Sequence, residues 1–128
     1  MPIFNQGDVI RVPFPYTDRN TRQHRPALVV SAGSADENHD LLWFVMITSA
    51  ENRAWANDVA VPNHKDAGLP APSIIRPVKI ATIEARHAEY IGKVTVPTRQ
   101  AVMRCVRAGF DGAKALMLQE PAAHYSAG

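Results

Sequence analysis

Polar side chains stand at the ends of three apolar segments of the sequence, and their types could handle a phosphate group. His24 and Arg25 precede the apolar run that begins at Ala27, and Thr48 and Ser49 end another. A third set follows in the segment 73–83: Ser73, Arg76 and Lys79. An arginine next to a hydroxyl can bind phosphate through two hydrogen bonds and stabilise the charge that builds on it. These strand ends are therefore candidates for a phosphate-binding site.

Arg25 is the member of this set whose position is best defined by its neighbours. Pro26 fixes its own φ and pushes the preceding residue into an extended conformation, so the guanidinium projects from stiff backbone. Taken singly, the residues also have ordinary structural interpretations as a surface arginine, a β-branched strand residue and a turn serine. The functional interpretation therefore depends on their combination.

Several common chemistries lack their sequence patterns. The chain has no glycine-rich phosphate loop and no HExxH, CxxC or GxSxG motif, and its histidines are scattered without helical i, i+4 spacing. The single cysteine, Cys105, can form neither an internal disulfide nor a zinc site by itself, and its apolar neighbours favour a core thiol. We therefore expect no metal and no cofactor.

Length and composition are those of one globular domain. The 128 residues are 46% hydrophobic and 20% charged, which argues against disorder and against a membrane protein. No apolar run reaches the ~20 residues that span a bilayer, and the start lacks the features of a signal peptide, so we expect a cytoplasmic protein. We predict a domain over 1–118 and a flexible tail over 119–128. The net charge of +2 is compatible with a polyanionic partner and also with none.

The apolar periodicity predicts several short strands before a single late helix. The predicted strands are VIRVPFPYT (9–17), 25–32, LLWFVMITS (41–49), 57–61, 73–83 and 89–95. Pro77 is expected at a bulge or a sheet edge, and Trp43 is expected in the core. The charged loop 17–24 joins the first two strands and is a candidate clamp over a ligand.

Helical spacing begins only near the C-terminal end. One predicted helix face carries apolar residues, namely Ala101, Val102, Cys105, Val106 and Phe110. The other side carries Arg99, Arg104 and Arg107. Thr98 is the predicted N-cap and Gly109 the predicted stop, followed by a second short helical segment. The predicted fold is mainly β, a small curled antiparallel sheet or barrel with a C-terminal helix.

Five blocks of the sequence together carry a resemblance to a known family. The blocks are GDVIRVPFPYTD (7–18), RPALVVSA (25–32), MITSA (46–50), AGLPAPSIIRPVKIATI (67–83) and YIGKVT (90–95). Each block is short and weakly specific alone, but their order and spacing resemble those of the MazF/PemK family of type II toxin–antitoxin toxins. The resemblance covers residues 6–107.

The resemblance implies an SH3-like barrel with a C-terminal helix, assembled as a homodimer. It also implies a sequence-selective, metal-independent endoribonuclease that cuts single-stranded RNA and is neutralised by a cognate antitoxin. At the matching positions, Arg25 and Thr48 are implied to be catalytic. The residues implied to bind RNA are Thr17, His24, Ser49, Ser73, Arg76 and Lys79. From their aromatic character, Phe14, Tyr16 and Trp55 are further candidates for stacking on bases.

Three alternatives stay open at this stage. Pro77 and Val78 precede Lys79 where many relatives carry an acidic residue, which keeps a catalytically inactive RNA-binding relative in consideration. A gyrase-directed toxin of the same barrel type is a second alternative, which the weak C-terminal tail disfavours. The general base is also open. Adjacent strand residues face opposite sides, so His24 ranks below Arg25 as a catalytic residue.

Overall fold

The structure, a computed structural model, describes residues 3–13, 23–34, 40–52 and 54–117. The strands in these ranges are β1 (Asp8–Pro13), β2 (His24–Val29), β3 (Leu41–Ser49), β4 (Val59–Ala60), β5 (Ser73–Glu84) and β6 (Glu89–Lys93). A 3-10 turn over Ala85–His87 connects the last two strands, and the helix α1 (Val96–Met117) follows. Within the described ranges, no helix has the length and apolar character needed to cross a membrane.

All strands belong to one antiparallel sheet in the order β4-β5-β3-β2-β1-β6. The curled sheet with its C-terminal helix confirms the predicted mainly β fold. Three strands are shorter than predicted: β2 ends at Val29 rather than at residue 32, β4 comprises only Val59 and Ala60, and β6 ends at Lys93 rather than at residue 95. After β2 the chain bends through residues 31–33, where Gly33 adopts a φ of +87° that ends the extended conformation.

Apolar side chains are buried on both faces of the sheet. Val9 and Ile10 follow each other in β1 and therefore point to opposite faces, and both are fully buried. The first face packs against α1 through a cluster that includes Val9 and the helix residues Val102 and Val106. The second face carries a separate cluster that includes Ile10, Ala27 and Met46. The strand ends can therefore carry polar groups while the strand centres supply the stability.

The helix begins and ends at other residues than the sequence spacing predicts. Thr98 lies inside the first turn, and its backbone N–H donates to the hydroxyl of Thr95 at 3.4 Å, so Thr95 occupies the capping position. Gly109 does not end the helix, because it keeps a negative φ and nothing lies within 4 Å of the position of its absent Cβ. A glycine that ends a helix commonly does so by entering the left-handed region. The predicted tail 119–128 falls outside the described residues.

Two expectations for individual residues have opposite outcomes. The prediction of Trp43 in the core is wrong. The residue is 42% exposed. It lies on the helix-covered face near Phe110, in the later part of α1, and the two rings meet edge-on with their centroids 6.4 Å apart. The expected bulge at Pro77 is confirmed, since Met46 pairs with Arg76 but its neighbour Val45 pairs with Ile80. Residues 77–79 therefore have no partner of their own on β3.

Candidate functional site

An open cleft of about 450 Å³ lies where the start of β2 meets the end of β3. Its lining residues are Gln23, His24, Arg25, Pro26, Ile47, Thr48, Ser49, Asn52, Pro70, Ala71, Pro72 and Ser73. Five residues singled out from the sequence are thus brought together: His24, Arg25, Thr48, Ser49 and Ser73. They come from three strand ends that are distant in sequence.

The strand register explains why these ends meet. Ala27 of β2 pairs with Met46 of β3, and continuing this antiparallel register by two residues places Arg25 opposite Thr48. Side chains two residues apart share a face, so both polar residues follow directly on the buried pair of Ala27 and Met46. On the other side of β3, Ser49 pairs with Ser73 of β5. The apolar sheet interior therefore ends in a polar rim.

The guanidinium of Arg25 is carried by ordered backbone in this rim. Arg25 pairs with Val12 of β1 in the sheet, and its neighbour Pro26 pairs with Arg11. Arg25 itself is exposed, although Val12 beside it is fully buried. An exposed arginine at a strand end is suited to a phosphate, because its guanidinium offers a planar fork of donors.

Asn52 contacts the Thr48 hydroxyl, and the sequence analysis did not identify it. The amide Nδ2 of Asn52 donates to Thr48 Oγ1. The turn that follows β3 sets up this contact, since the Asn52 N–H donates to the carbonyl of Ser49 at 3.0 Å. The Ser49 hydroxyl accepts from the Glu51 N–H at 3.1 Å. Because Thr48 Oγ1 accepts from Asn52, its own hydrogen remains available to donate to a ligand oxygen. The turn-forming residues 50–52 were the available sequence signal.

Ser73 stabilises the loop that forms one wall of the cleft. Its side chain is buried, and its hydroxyl donates to the carbonyl of Ala71 at 2.8 Å. This bond holds the loop 70–73 against the start of β5. Leu69, just before this loop, is buried in the first core cluster, which anchors its other end. Ser73 therefore acts on the site indirectly, by fixing the position of this loop.

Arg76 lies outside the cleft lining and is nearly buried in an ion pair with Asp58. Its Nε and Nη2 donate to the two carboxylate oxygens of Asp58 at 3.0 and 3.1 Å. The two side chains are only 10% and 7% exposed. Asp58 also accepts from the backbone N–H of Trp55 at 2.7 Å. The hydrogen bond from Arg76 lowers the pKa of Asp58 below its ordinary value of 3.8, although burial acts in the opposite direction.

The ring of Trp55 lies close to two cations beside the cleft. The Arg76 guanidinium lies 4.2 Å from the ring centroid, and the Lys79 ammonium lies 5.1 Å from it. Arg76 pairs with Met46, which shares a sheet face with Thr48, so this aromatic group stands on the Thr48 side of the sheet. Trp55 remains 42% exposed. Lys79 reaches it from the bulge in β5.

Some candidates from the sequence fall outside the described residues. They are Thr17, Phe14 and Tyr16. Among the residues that the structure does describe, no three histidine, cysteine, aspartate or glutamate side chains gather as a metal site would require. Cys105 is partly buried on the helix, with its sulfur 4.0 Å from the Asn57 carbonyl oxygen.

Comparison with known protein families gives one extensive match. A family model described as a PemK-like, MazF-like toxin of type II toxin–antitoxin systems matches residues 5–110. This range includes the whole cleft and the Trp55 cluster. A search of curated proteins gives no match.

Solved structures of low sequence identity share the fold. MazF from Deinococcus radiodurans superimposes with a TM-score of 0.69 at 17% identity, covering 88% of this chain and 100% of the other. A MazE–MazF structure from the same organism gives 0.68 at 17% identity, with coverages of 88% and 98%. A mycobacterial endoribonuclease in complex with its cognate antitoxin gives 0.62 at 22% identity, with coverages of 94% and 99%. The observed sheet and helix thus match the fold that the sequence resemblance implies.

Proposed function

The chain belongs to the family of PemK-like, MazF-like toxins of type II toxin–antitoxin systems, and from this premise we propose that it cleaves single-stranded RNA without a metal ion. The observation that carries the proposal is the convergence of Arg25 and Thr48 in one open cleft, with Asn52 bonded to the threonine hydroxyl. A phosphate in this cleft meets a fixed cation and a hydroxyl donor together. These are the groups that a phosphoryl transfer needs for charge stabilisation.

RNA supplies its own nucleophile, which keeps the demands on the protein small. The 2′-oxygen attacks the adjacent phosphorus, the bond from phosphorus to the 5′-oxygen breaks, and a 2′,3′-cyclic phosphate and a 5′-hydroxyl end result. Negative charge grows on the non-bridging oxygens in the transition state. We assign Arg25 to stabilise that charge and Thr48 to donate a hydrogen bond to the same phosphate.

One proton must leave the 2′-hydroxyl and another must reach the 5′-oxygen. His24 lines the cleft next to Arg25, and an imidazole can both accept and donate a proton near neutral pH. Arginine remains protonated and is a poor base. Alternation along β2 turns adjacent side chains to opposite sides, but both His24 and Arg25 line the cleft. We therefore assign proton transfer to His24 and charge stabilisation to Arg25. Replacement of His24 by Gln should slow cleavage much more than it weakens RNA binding, which separates proton transfer from the RNA contact that the resemblance implies for His24.

The wider RNA contact is proposed to follow the same side of the sheet. Ser49 lines the cleft with Thr48, and the exposed ring of Trp55 offers a stacking surface for a neighbouring base. Arg76 and Lys79 then act mainly by holding Trp55, which extends the roles that the sequence resemblance implies for them. Ser73 acts by holding the loop 70–73, and Thr17 keeps its proposed role as an RNA contact.

We also propose the assembly and location that this activity needs. A homodimer is proposed for the free toxin, and a cognate antitoxin protein is proposed as its inhibitor in the cytoplasm. The structural neighbours support the antitoxin partner, because one is a MazE–MazF structure and another is an endoribonuclease with its cognate antitoxin. Size-exclusion chromatography with light scattering tests the dimer.

The decisive experiment uses long single-stranded RNA with the purified protein in excess chelator. Discrete cuts with 2′,3′-cyclic phosphate and 5′-hydroxyl ends are expected. Arg25→Ala and Thr48→Ala should each slow cutting by roughly 100- to 1,000-fold, the usual effect of removing one group that stabilises the transition state.

Matched controls are available on the same sheet. Arg11 and Thr82 are exposed strand residues outside the cleft, so Arg11→Ala and Thr82→Ala should leave the rate unchanged. RNA that stays intact but bound would indicate the catalytically inactive relative instead. Intact RNA without binding would favour a protein-directed toxin, for which inhibition of gyrase is the direct assay.

A further inference from the structure

A second groove, of about 490 Å³, lies between α1 and the segment that precedes β1. Its lining consists of Gln6, Arg99, Gln100, Met103, Arg104 and Arg107. We refer to it as the helix groove. It is separated from the cleft by the length of β2, because Gln6 contacts Val30 just after the last residue of that strand, whereas Arg25 stands at its start. Six residues of strand correspond to about 20 Å.

The described lining of the helix groove is positively charged. Three of its lining side chains are guanidinium groups, and none is a carboxylate. Within the described part of the chain, these arginines have no acidic partner, whereas Arg11, Arg76 and Arg86 each pair with an aspartate or glutamate. Like charges gathered without counter-charges repel each other, so a bound anion would relieve the repulsion.

The walls of the groove are held in place by the fold. Gly7 has a φ of +97°, and a Cβ at this position would lie 3.0 Å from Cδ of Arg99. The absence of a side chain at Gly7 therefore lets the Arg99 stem pack against the backbone, where it is half-buried. On the opposite wall, Nε2 of Gln6 donates to the Val30 carbonyl at 2.9 Å, which leaves the amide oxygen as its remaining acceptor.

The spacing and chemistry of the lining select an extended anion. Arg99 and Arg107 lie eight residues apart on α1, which corresponds to about 12 Å along the helix axis. Met103 is the one apolar lining side chain, and it is only 8% exposed. The groove thus offers charge and amide groups but no pocket for an apolar side chain, which a bound peptide would use for much of its affinity.

We infer that the helix groove binds the sugar-phosphate backbone of single-stranded RNA outside the cleft. This inference rests on the proposed ribonuclease function, since it assigns a second contact to the same substrate. Arginine forks bind phosphates bidentately and without regard to base identity. The groove therefore increases affinity for long RNA and leaves the choice of cleavage sequence to the cleft.

The test compares two RNA lengths in three proteins. Fluorescence anisotropy is measured with 2′-O-methyl RNA, which cannot be cut through the 2′-oxygen, as strands of about 5 and about 30 nucleotides. The groove variant is Arg99→Gln/Arg104→Gln/Arg107→Gln. The control variant, Lys65→Gln/Arg86→Gln/Lys93→Gln, removes the same total charge from exposed positions outside the groove. Thermal unfolding verifies that both variants are folded.

The groove variant should bind the long strand roughly 10- to 100-fold more weakly at moderate salt, with a much smaller loss for the short strand. The slope of log K against log salt concentration should become shallower by about 2, because each lost phosphate contact on single-stranded RNA contributes about 0.7. In the control variant the slope should become shallower by less than half of this amount. Equal losses in the two variants, or no length dependence in the wild-type protein, would overturn the inference.

Two further measurements separate the possible failures. Cleavage of long RNA by the wild-type protein tests the proposed function alone, so cleavage without a groove effect rejects only the helix groove. Arginine-dependent binding of the long strand without cleavage supports the groove and rejects the enzyme. Poly-glutamate that binds through the same arginines more tightly than RNA would identify an acidic protein segment as the occupant and overturn the RNA assignment.

Discussion

Replacement of Asp58 by Asn tests whether the ion pair beneath Trp55 organises this side of the molecule. The substitution keeps the size of the side chain and removes its charge. In the wild-type structure the carboxylate accepts two hydrogen bonds from Arg76 and one from the Trp55 backbone. With the asparagine, an arginine side chain that is 10% exposed loses the negative charge of Asp58.

The expected cost follows from burial and from what the asparagine retains. Breaking a buried ion pair by removing one partner costs about 3–5 kcal/mol of unfolding free energy. An amide oxygen in the position of Oδ2 can still accept two of the three bonds, from Arg76 Nη2 and from the Trp55 N–H. The ring of Trp55 also still faces the guanidinium at 4.2 Å. We therefore expect a loss at the lower end, about 3 kcal/mol. For a domain of this size that corresponds to a fall in Tm of roughly 10 °C.

Urea denaturation measures this loss directly, and the chain offers a matched control. Arg11 and Glu89 form an ion pair at 3.4 Å, but their side chains are 48% and 65% exposed. Glu89→Gln should cost at most about 1 kcal/mol, because solvent screens an exposed pair. The double variant Asp58→Asn/Arg76→Met should recover part of the loss by removing the uncompensated charge.

The comparison between the two pairs decides the outcome. An Asp58→Asn variant that is no less stable than Glu89→Gln would refute the reasoning, because burial would then have added nothing to the pair. The same conclusion would follow if the double variant were less stable than Asp58→Asn by the full cost of a second independent substitution.

Three further predictions concern acid stability, RNA stacking and two glycines. The pKa of Asp58 is lowered in the folded protein, so its stabilisation is present above pH 3.8 and is lost as pH falls towards the folded-state pKa. Below pH 3.8 the free energy of unfolding should therefore fall more steeply with decreasing pH for the wild type than for Asp58→Asn. Equal slopes would contradict this. Trp55→Ala should weaken RNA binding by roughly 10-fold or more. Trp43→Ala, at an equally exposed tryptophan, should leave binding unchanged. Equal losses of affinity in the two variants, measured by fluorescence anisotropy, would reject the stacking role. Gly68→Ala should destabilise the fold strongly, because the new Cβ would lie 1.9 Å from the Ile91 carbonyl oxygen at a φ of +82°. Gly109→Ala, with open space around it, should stabilise α1 by up to about 1 kcal/mol. Thermal unfolding compares the two variants, and a stable Gly68→Ala protein would show that the loop 64–69 can move away from β6.

Local features of the sequence were sufficient for the mainly β class and for the polar rim of the cleft. Strand positions followed from apolar runs, and Arg25 and Thr48 could be selected because they stand at the ends of such runs beside residues that stiffen the chain. These signals are short-range, since backbone preference and alternation act over a few residues. The ordered blocks of residues then carried the family assignment, which the match over residues 5–110 confirms.

Packing decided what local patterns could not. Arg76 meets Asp58 eighteen residues away in sequence, so this contact depends on how β5 and the connection between β3 and β4 fold together. Trp43 is 42% exposed and contacts the ring of Phe110 on α1, although its apolar strand context favours burial. Periodicity determines which face a side chain takes, but the partners present at that face are set by chain segments distant in sequence.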